Sequence, residues 1–403
     1  MYLTHLSLTN FRLFSRLDMD VPRRILLLVG ANAQGKTSIL ESVYYLATFN
    51  SFHAASDRQL LNFIASEQDL CVGRIVASFQ RDERLRKLEV RLIQEPSGNG
   101  SPKFRKEVLL DGVKAPANQV IGQFNAVLFM PQMTRIIESG PEERRRYLNF
   151  AISQTDPLYM QALSEYNQAL TQRNALLKLL GERSGDLSQL SFWDGLLASR
   201  AALLIHARSK ALDEMEALAV RVHERLTRGR EVFRIRYLPS YDPLPVPKDQ
   251  FTLPLQAGLS RSGYSHRQIE EGFLEQLTKA RAEEIARGIT TIGPHRDEFR
   301  ISVNGIDLGD YGSRGQIRTA ILSLKMAEVD WIRARTKQWP VLLLDETLAE
   351  LDFERRQSLV EYLENADQVL LTTTDFNLFP ENFAKSCEKW QVSQGMVEKF
   401  SAD

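Results

Sequence analysis

The chain opens on alternation. Leu6 and Leu8 alternate with polar neighbours toward Phe11, and Ile25–Val29 follows as a short run without a polar position. Alternation marks a strand with one buried face, whereas an unbroken apolar run marks a strand buried on both. From Leu70 to Lys114 the two-residue period returns, as in Leu88, Val90 and Leu92, and Asp111-Gly112 is a hairpin-turn pair. An antiparallel meander is predicted there.

Past Pro141 the period becomes helical, and it stays so to Arg287. Leu163, Leu170 and Leu177 stand at seven-residue steps, with Tyr159, Tyr166 and Leu180 on the same stripe, which Arg173 interrupts. Leu197, Leu204, Ala211 and Leu218 repeat at the same spacing, flanked by Met215 and Val222. Two helices joined near Gly181–Gly185 are predicted to pair antiparallel, the second running over Ser191–Thr227 and reaching about 50 Å. Pro239, Pro243, Pro245, Pro247 and Pro254 mark an extended connector. Ser265 with Gln268 forms a capping box opening a helix that buries Ile269, Phe273 and Leu277 and ends at Gly288. Phe299, Ile301 and Val303 alternate before an Asn304-Gly305 turn, and a helix and two strands complete the chain. The expected organisation is a β-rich head, 1–140 and 288–403, split by a helical arm, 141–287.

Composition narrows the class. Of 403 residues, 43% are apolar and 25% charged, ordinary for globular domains. The 51 Lys+Arg balance 51 Asp+Glu, so polyanions are not held by bulk charge, and nucleic-acid binding must come from a local patch. Two cysteines, Cys71 and Cys387, suit a reducing compartment. Met1–Phe14 does not read as a signal peptide, and no apolar run approaches a membrane span. A cytoplasmic protein with no membrane partner is expected.

The first chemical motif is Gly30-Ala31-Asn32-Ala33-Gln34-Gly35-Lys36-Thr37, G-x-x-x-x-G-K-[ST], placed between the apolar strand and a helix bearing Ile39, Val43 and Leu46. Glycines let backbone N–H groups approach a phosphate chain, and the helix N-terminus adds partial positive charge. Lys36 is expected to reach the terminal phosphates of a nucleoside triphosphate and Thr37 to ligate Mg²⁺. Val341–Leu344 ends in Asp345-Glu346, which supplies a metal carboxylate in Asp345 and a water-polarising group in Glu346. Ser313-Arg314-Gly315-Gln316 precedes an amphipathic helix. It reads either as a plain helix cap or, in order with the other motifs, as a second phosphate-binding turn that is similar to the S-x-G-Q signature of ABC ATPases. Leu348–Asp352 then resembles their D-loop, with Asp352 at its end. One phosphate loop and one signature per chain imply two composite sites in a head-to-tail homodimer.

Together these blocks resemble the RecF family of DNA replication and repair proteins, ABC-type ATPases related to SMC heads. The resemblance runs nearly end to end, through Leu8–Arg12, Gly30–Thr37, Ser139–Arg146, Gly293–Asp297, Tyr311–Thr319, Leu343–Asp352 and Thr372–Asp375. It implies an α/β fold: an ABC-type P-loop ATPase head with an antiparallel β subdomain, split by the helical arm. It also implies ATP and Mg²⁺ as cofactors, weak DNA-stimulated hydrolysis used as a switch, double-stranded or gapped DNA as ligand, and RecO- and RecR-type partners in loading a recombinase. Arg12 is expected near the nucleotide, and Gln132 as the residue sensing the γ-phosphate. Glu346 stands where many relatives carry Asp. Thr374 occupies the region of the transporter switch histidine, which argues against a transporter subunit. A P-loop phosphotransferase has no use for the signature, and a purely structural SMC-like role needs a longer arm. His295 reads either as a DNA or nucleotide contact or as a structural partner of Asp297.

Three basic clusters are candidates for DNA: Arg81, Arg84, Arg86, Lys87 and Arg91; Lys103, Arg105 and Lys106; and Arg221, Arg225, Arg228, Arg230, Arg234 and Arg236, the last interrupted only by Glu224 and Glu231 among acids. Each reads as a solvated face or as a phosphate-contacting groove. Arg144–Arg146 beside Glu142 and Glu143 read as a salt-bridged helix start.

Overall fold

A computed structural model describes residues 1–96, 102–183, 185–243, 261–374 and 379–400. Pro245, Pro247 and Pro254 of the expected connector, and Asp375, lie outside the described residues. The chain forms two compact units, one of residues 1–133 with 328–403 and one of residues 134–327.

The first unit contains two sheets. In one, strands Glu388–Ser393, Arg24–Val29, Gln368–Thr373, Val341–Asp345 and Ala126–Phe129 lie side by side and parallel, and the hairpin strand Met396–Lys399 pairs antiparallel at one edge. Their apolar runs carry no polar face because parallel strands are covered on both sides, and Leu26, Leu27, Leu28, Leu342 and Leu343 have no exposed surface. The carboxyl ends of these strands therefore share one rim of the sheet, where Val29, Asp345 and Thr373 end their strands.

The other sheet is the expected meander, extended by the chain's first strands. Phe14–Asp20 pairs with Tyr2–Phe11, which pairs with Cys71–Arg81, then Arg84–Glu95, Lys103–Leu110 and Val113–Lys114. Leu88, Val90 and Leu92 are fully buried, as their alternation requires. Asp111 and Gly112 turn the last hairpin with φ of 52° and 83°, both left-handed, the conformation a two-residue turn demands.

The second unit is built on helices Pro157–Glu182 and Ser188–Thr227, with Pro141–Ser153 before them and His266–Arg287 after. The long helix starts three residues before the expected Ser191 and has 40 residues, about 60 Å at the helical rise. The Ser265–Gln268 capping box is formed, and Gly288 closes its helix at φ 66°. A small sheet of Phe233–Leu238, Glu298–Val303 and Ile306–Asp307 completes the unit, with Asn304-Gly305 at its turn. Helix Arg314–Thr336 carries the chain across the boundary between the units.

Arg173, which breaks the apolar stripe, has no exposed surface. Its guanidinium meets Asp194 at 2.7 Å, Glu284 at 2.7 Å and Thr290 Oγ1 at 2.7 Å. Arg144 does not pair with Glu142 or Glu143 as the sequence suggested. It turns to Glu298 and to the carbonyls of Ile136, Ile137 and Ser139, while Arg145 donates to the Asp297 carbonyl at 3.0 Å. A neighbouring carboxylate on its own helix competes with water, whereas the inward partners are shielded from it, so the buried geometry wins.

Candidate nucleotide site

Helix Lys36–Thr48 begins at Gly35, which has φ 108° and offers no side-chain cap. The first-turn N–H groups thus have no side-chain acceptor and face whatever anion occupies the loop. Ala31, Asn32 and Ala33 are exposed, and Ala33 adopts φ 63°. A Cβ on Gly35 would lie 2.8 Å from the Phe14 ring, and one on Gly30 would lie 2.2 Å from the Val392 carbonyl oxygen. Glycine is demanded at both places by close approach. Gln34 Oε1 accepts from the Gln394 N–H at 2.6 Å, tying the loop to the edge hairpin.

Lys36 is 4% exposed, and its Nζ donates to the carbonyls of Gly30 at 2.6 Å and Ala31 at 2.9 Å. Glu346 Oε1 stands 3.8 Å away. Burial lowers the pKa of Lys36, against the opposing pull of Glu346 and Asp345. Thr37 Oγ1 is 2.9 Å and 3.0 Å from the two carboxylate oxygens of Asp345, and Thr372 Oγ1 donates to the same carboxylate at 2.7 Å. The Thr37 hydroxyl and Asp345 carboxylate are hard oxygen donors on facing elements, the set Mg²⁺ prefers. Glu346 leaves the strand end with φ 48°, its N–H held by Thr372 Oγ1 at 3.1 Å, and its side chain is about half exposed.

Arg12 occupies the turn between Phe11 and Phe14 at φ 52°. It grips Glu41 with two bonds of 2.7 Å and donates to the Gln59 carbonyl at 3.0 Å. Glu41 is one turn beyond Thr37 on the phosphate-loop helix and 1% exposed, so Arg12 is fastened to that helix. Gln132 is exposed in the short turn Pro131–Thr134, which follows the strand beside Val341–Asp345; Thr347 Oγ1 donates to the Phe129 carbonyl at 2.9 Å and joins those two strand ends. Asp352 caps helix Phe353–Leu363 through the Arg355 N–H at 3.0 Å and pairs with the Arg355 guanidinium. All of these groups belong to the first unit.

The signature turn belongs to the second. Ser313 Oγ accepts from the Gln316 N–H at 3.2 Å and Gln316 Oε1 accepts from the Ser313 N–H at 3.2 Å, a reciprocal cap. Ser313, Arg314 and Gly315 are exposed, and a Cβ on Gly315 would meet nothing within 4 Å.

Of the basic residues, Arg81 is spent on the carbonyls of Gly122 and Gln123, and Arg86 on Asp111 at 2.7 Å and Gln123 at 3.3 Å. Lys106 pairs with Asp57 at 2.8 Å. Arg84, Arg221, Arg225, Arg228 and Arg230 are exposed. His295 does not pair with Asp297: its Nδ1 is 2.7 Å from Tyr166 Oη, its Nε2 is 3.3 Å from the Thr290 carbonyl, and burial pushes its pKa down to about 4. Asp297 instead receives Arg208 at 2.9 Å, Tyr237 and the Ser240 N–H.

A phosphate loop on a parallel sheet, a carboxylate on the second strand over, and a separate S-x-G-Q helix start define a P-loop ATPase head of the ABC and SMC type. The RecF/RecN/SMC N-terminal domain family matches residues 2–396. DNA replication and repair protein RecF of Roseiflexus castenholzii is 39% identical over 98% of this chain and 99% of its own length, and that of Chloroflexus aurantiacus is 37% identical over the same shares. A solved structure of the recombination mediator protein RecF with ATP, from the RecFOR pathway, superposes with a TM-score of 0.82 at 29% identity, over 99% of this chain and 98% of that one. An Smc head from Pyrococcus furiosus, at 16% identity and a TM-score of 0.51, shares the fold. The chain belongs to the RecF family of DNA replication and repair proteins, which stands against a transporter subunit or a P-loop phosphotransferase. Among the described residues, no helix is long and apolar enough to cross a membrane.

Proposed function

We propose that the chain is an ATP-gated DNA clamp: nucleotide draws two copies together head to tail, closure forms a surface for duplex or gapped DNA, and slow hydrolysis releases it. The head functions are assigned to 1–140 and 288–403 and the arm to 141–287. The observation that carries this reading is a single phosphate loop accompanied by an exposed signature turn whose Gly315 the protomer's own packing does not require. Open space over that glycine suits close approach of a second chain's nucleotide.

In this reading Gly30–Thr37 wrap the phosphates and Lys36 exchanges the carbonyls of Gly30 and Ala31 for phosphate oxygens. Thr37 and Asp345 hold Mg²⁺, which screens charge on the phosphates when bound. Glu346 orients the attacking water and accepts its proton. Arg12, Gln132 and Asp352 border the nucleotide, and Ser313, Gly315 and Gln316 cap it from the partner copy. Among the exposed basic residues, Arg84, Arg221, Arg225, Arg228 and Arg230 are assigned to DNA phosphates, Arg81 and Arg86 contributing through the loops they hold. The solved relative bound to ATP in the RecFOR pathway supports ATP as ligand and RecO and RecR as partners. Action in the cytoplasm is part of the same proposal.

The test is duplex-DNA binding at one fixed salt concentration, with and without ATP–Mg²⁺, alongside sedimentation. ATP is expected to yield a dimer and tighter DNA binding, and Lys36→Ala and Ser313→Arg each to abolish both. A chain that stays monomeric with unchanged DNA affinity would end the reading.

A further inference from the structure

The amide of Gln316 is engaged at both ends. Its Oε1 completes the cap on Ser313, and its Nε2 donates to Glu231 Oε1 at 3.3 Å. The other oxygen of Glu231 lies 3.0 Å from Nε2 of His223, whose Nδ1 lies 3.0 Å from Ser323 Oγ. Ser323 stands on the same helix as Gln316, two turns along, and donates back to the Thr319 carbonyl at 2.8 Å. A closed circuit of side chains therefore joins the signature turn, the body of its helix and the last turns of the 40-residue arm helix.

Every support of this circuit is stiff. His223 has no exposed surface and its ring packs against Phe233, with centroids 5.2 Å apart. Glu231 follows Arg228 and Gly229, left-handed at φ 54° and 73°, where the helix is closed by the Gly229 N–H on the Glu224 carbonyl at 2.8 Å. Val232 beside it exchanges both backbone groups with Asn304, at 2.8 Å and 2.9 Å. Glu231 is also the only acid between Arg225 and Arg236, and its neighbours Arg228 and Arg230 are exposed. A carboxylate there is electrostatically placed among the arginines but spends both oxygens inward, on Gln316 and His223.

We infer that Glu231, oriented by His223, is a positioning residue for the signature turn, through which polyanion contact at Arg228 and Arg230 governs ATP turnover. This rests on the composite-site reading above, in which Ser313–Gln316 meets the partner's nucleotide. A phosphate backbone that engages the flanking arginines shifts the Arg228–Glu231 turn, and a turn this rigid passes the shift to Gln316. The arm's basic end and the signature then move as one element.

The experiment measures kcat and KM for ATP of the full chain, with saturating duplex DNA and without it, for Gln316→Ala, Glu231→Ala, Glu231→Gln and the Gln316→Ala/Glu231→Ala double variant. Glu231→Ala is expected to lower DNA-stimulated kcat by roughly fivefold to thirtyfold while KM and duplex affinity hold. The double variant is expected to be no worse than Gln316→Ala alone, and Glu231→Gln, which keeps an acceptor for Gln316, to recover most of the loss. If Gln316→Ala lowers turnover but Glu231→Ala does not, or if the two losses multiply, the positioning role is overturned and the composite site survives. If Gln316→Ala leaves turnover unchanged, the composite site itself falls and this inference with it. A thermal melt of each variant separates these outcomes from simple unfolding, which lowers Tm and cuts apparent kcat by the same factor with and without DNA, KM holding in both.

Discussion

Thr37 and Asp345 are 308 residues apart in the chain, yet the threonine hydroxyl lies 2.9 Å and 3.0 Å from the two oxygens of the aspartate. The two bond each other here, and in the proposed function they are the groups that would hold Mg²⁺. Thr37→Ala and Asp345→Asn are each expected to cut the gain in ATP affinity that Mg²⁺ brings by roughly tenfold to a hundredfold. Titration of a fluorescent ATP analogue with and without Mg²⁺ measures it, and metal-free affinity should change far less.

Lys36 is a cation under stress. Its folded pKa is lowered, chiefly by burial, so the folded state holds this proton less tightly than the unfolded chain. The charge therefore costs stability at pH 7, and the cost is relieved as pH rises from the lowered folded pKa toward the ordinary 10.5. Lys36→Met is expected to raise the nucleotide-free Tm by about 2 °C while abolishing the further rise that ATP–Mg²⁺ produces in wild type. A Tm that falls would show that the bonds to Gly30 and Ala31 outweigh the desolvation.

His295 gives the second unit an acid limit. Its pKa falls from the ordinary 6.5 to about 4 because burial disfavours the imidazolium. Between those values the unfolded chain binds a proton that the folded chain does not, so stability is full above pH 6.5 and declines toward pH 4. The decline amounts to about 3 kcal/mol. Urea unfolding at pH 7.5 and pH 4.5 reads it, and His295→Gln, which retains hydrogen bonding without the titration, should flatten the difference.

Arg173 stabilises the arm rather than contacting a ligand. Its removal leaves the buried carboxylates of Asp194 and Glu284 without their shared cation. Arg173→Leu is expected to cost about 3–5 kcal/mol. Arg281 still reaches Asp194 at 2.7 Å but is not paired with Glu284. Heat capacity scans should show the loss, with ATP affinity of the phosphate loop unchanged.

Much of the site was legible because its parts are contiguous. Gly30–Thr37, Val341–Glu346 and Ser313–Gln316 are each a short run whose residue order and flanking periodicity announce a strand, a tight loop or a helix start. The meander, the capping box at Ser265 and both hairpin turns were legible for the same reason: turn chemistry and two-residue alternation act over a few residues. The change of period placed the arm at 141–287, whereas packing draws 134–327 into one compact unit. Period registers the local element, and packing registers which elements share a core.

What the sequence by itself determined, then, is the set of elements, the phosphate loop and the end-to-end likeness to one family. Only the tertiary structure decided partners. It sent Arg144 to Glu298 instead of Glu142, Arg173 to two buried acids, His295 to Tyr166 instead of Asp297, and Gln316 to Glu231. The physical reason is the same in each case. A charged or polar side chain pairs where burial strips away water, and burial is set by elements distant in the chain, which no local pattern records.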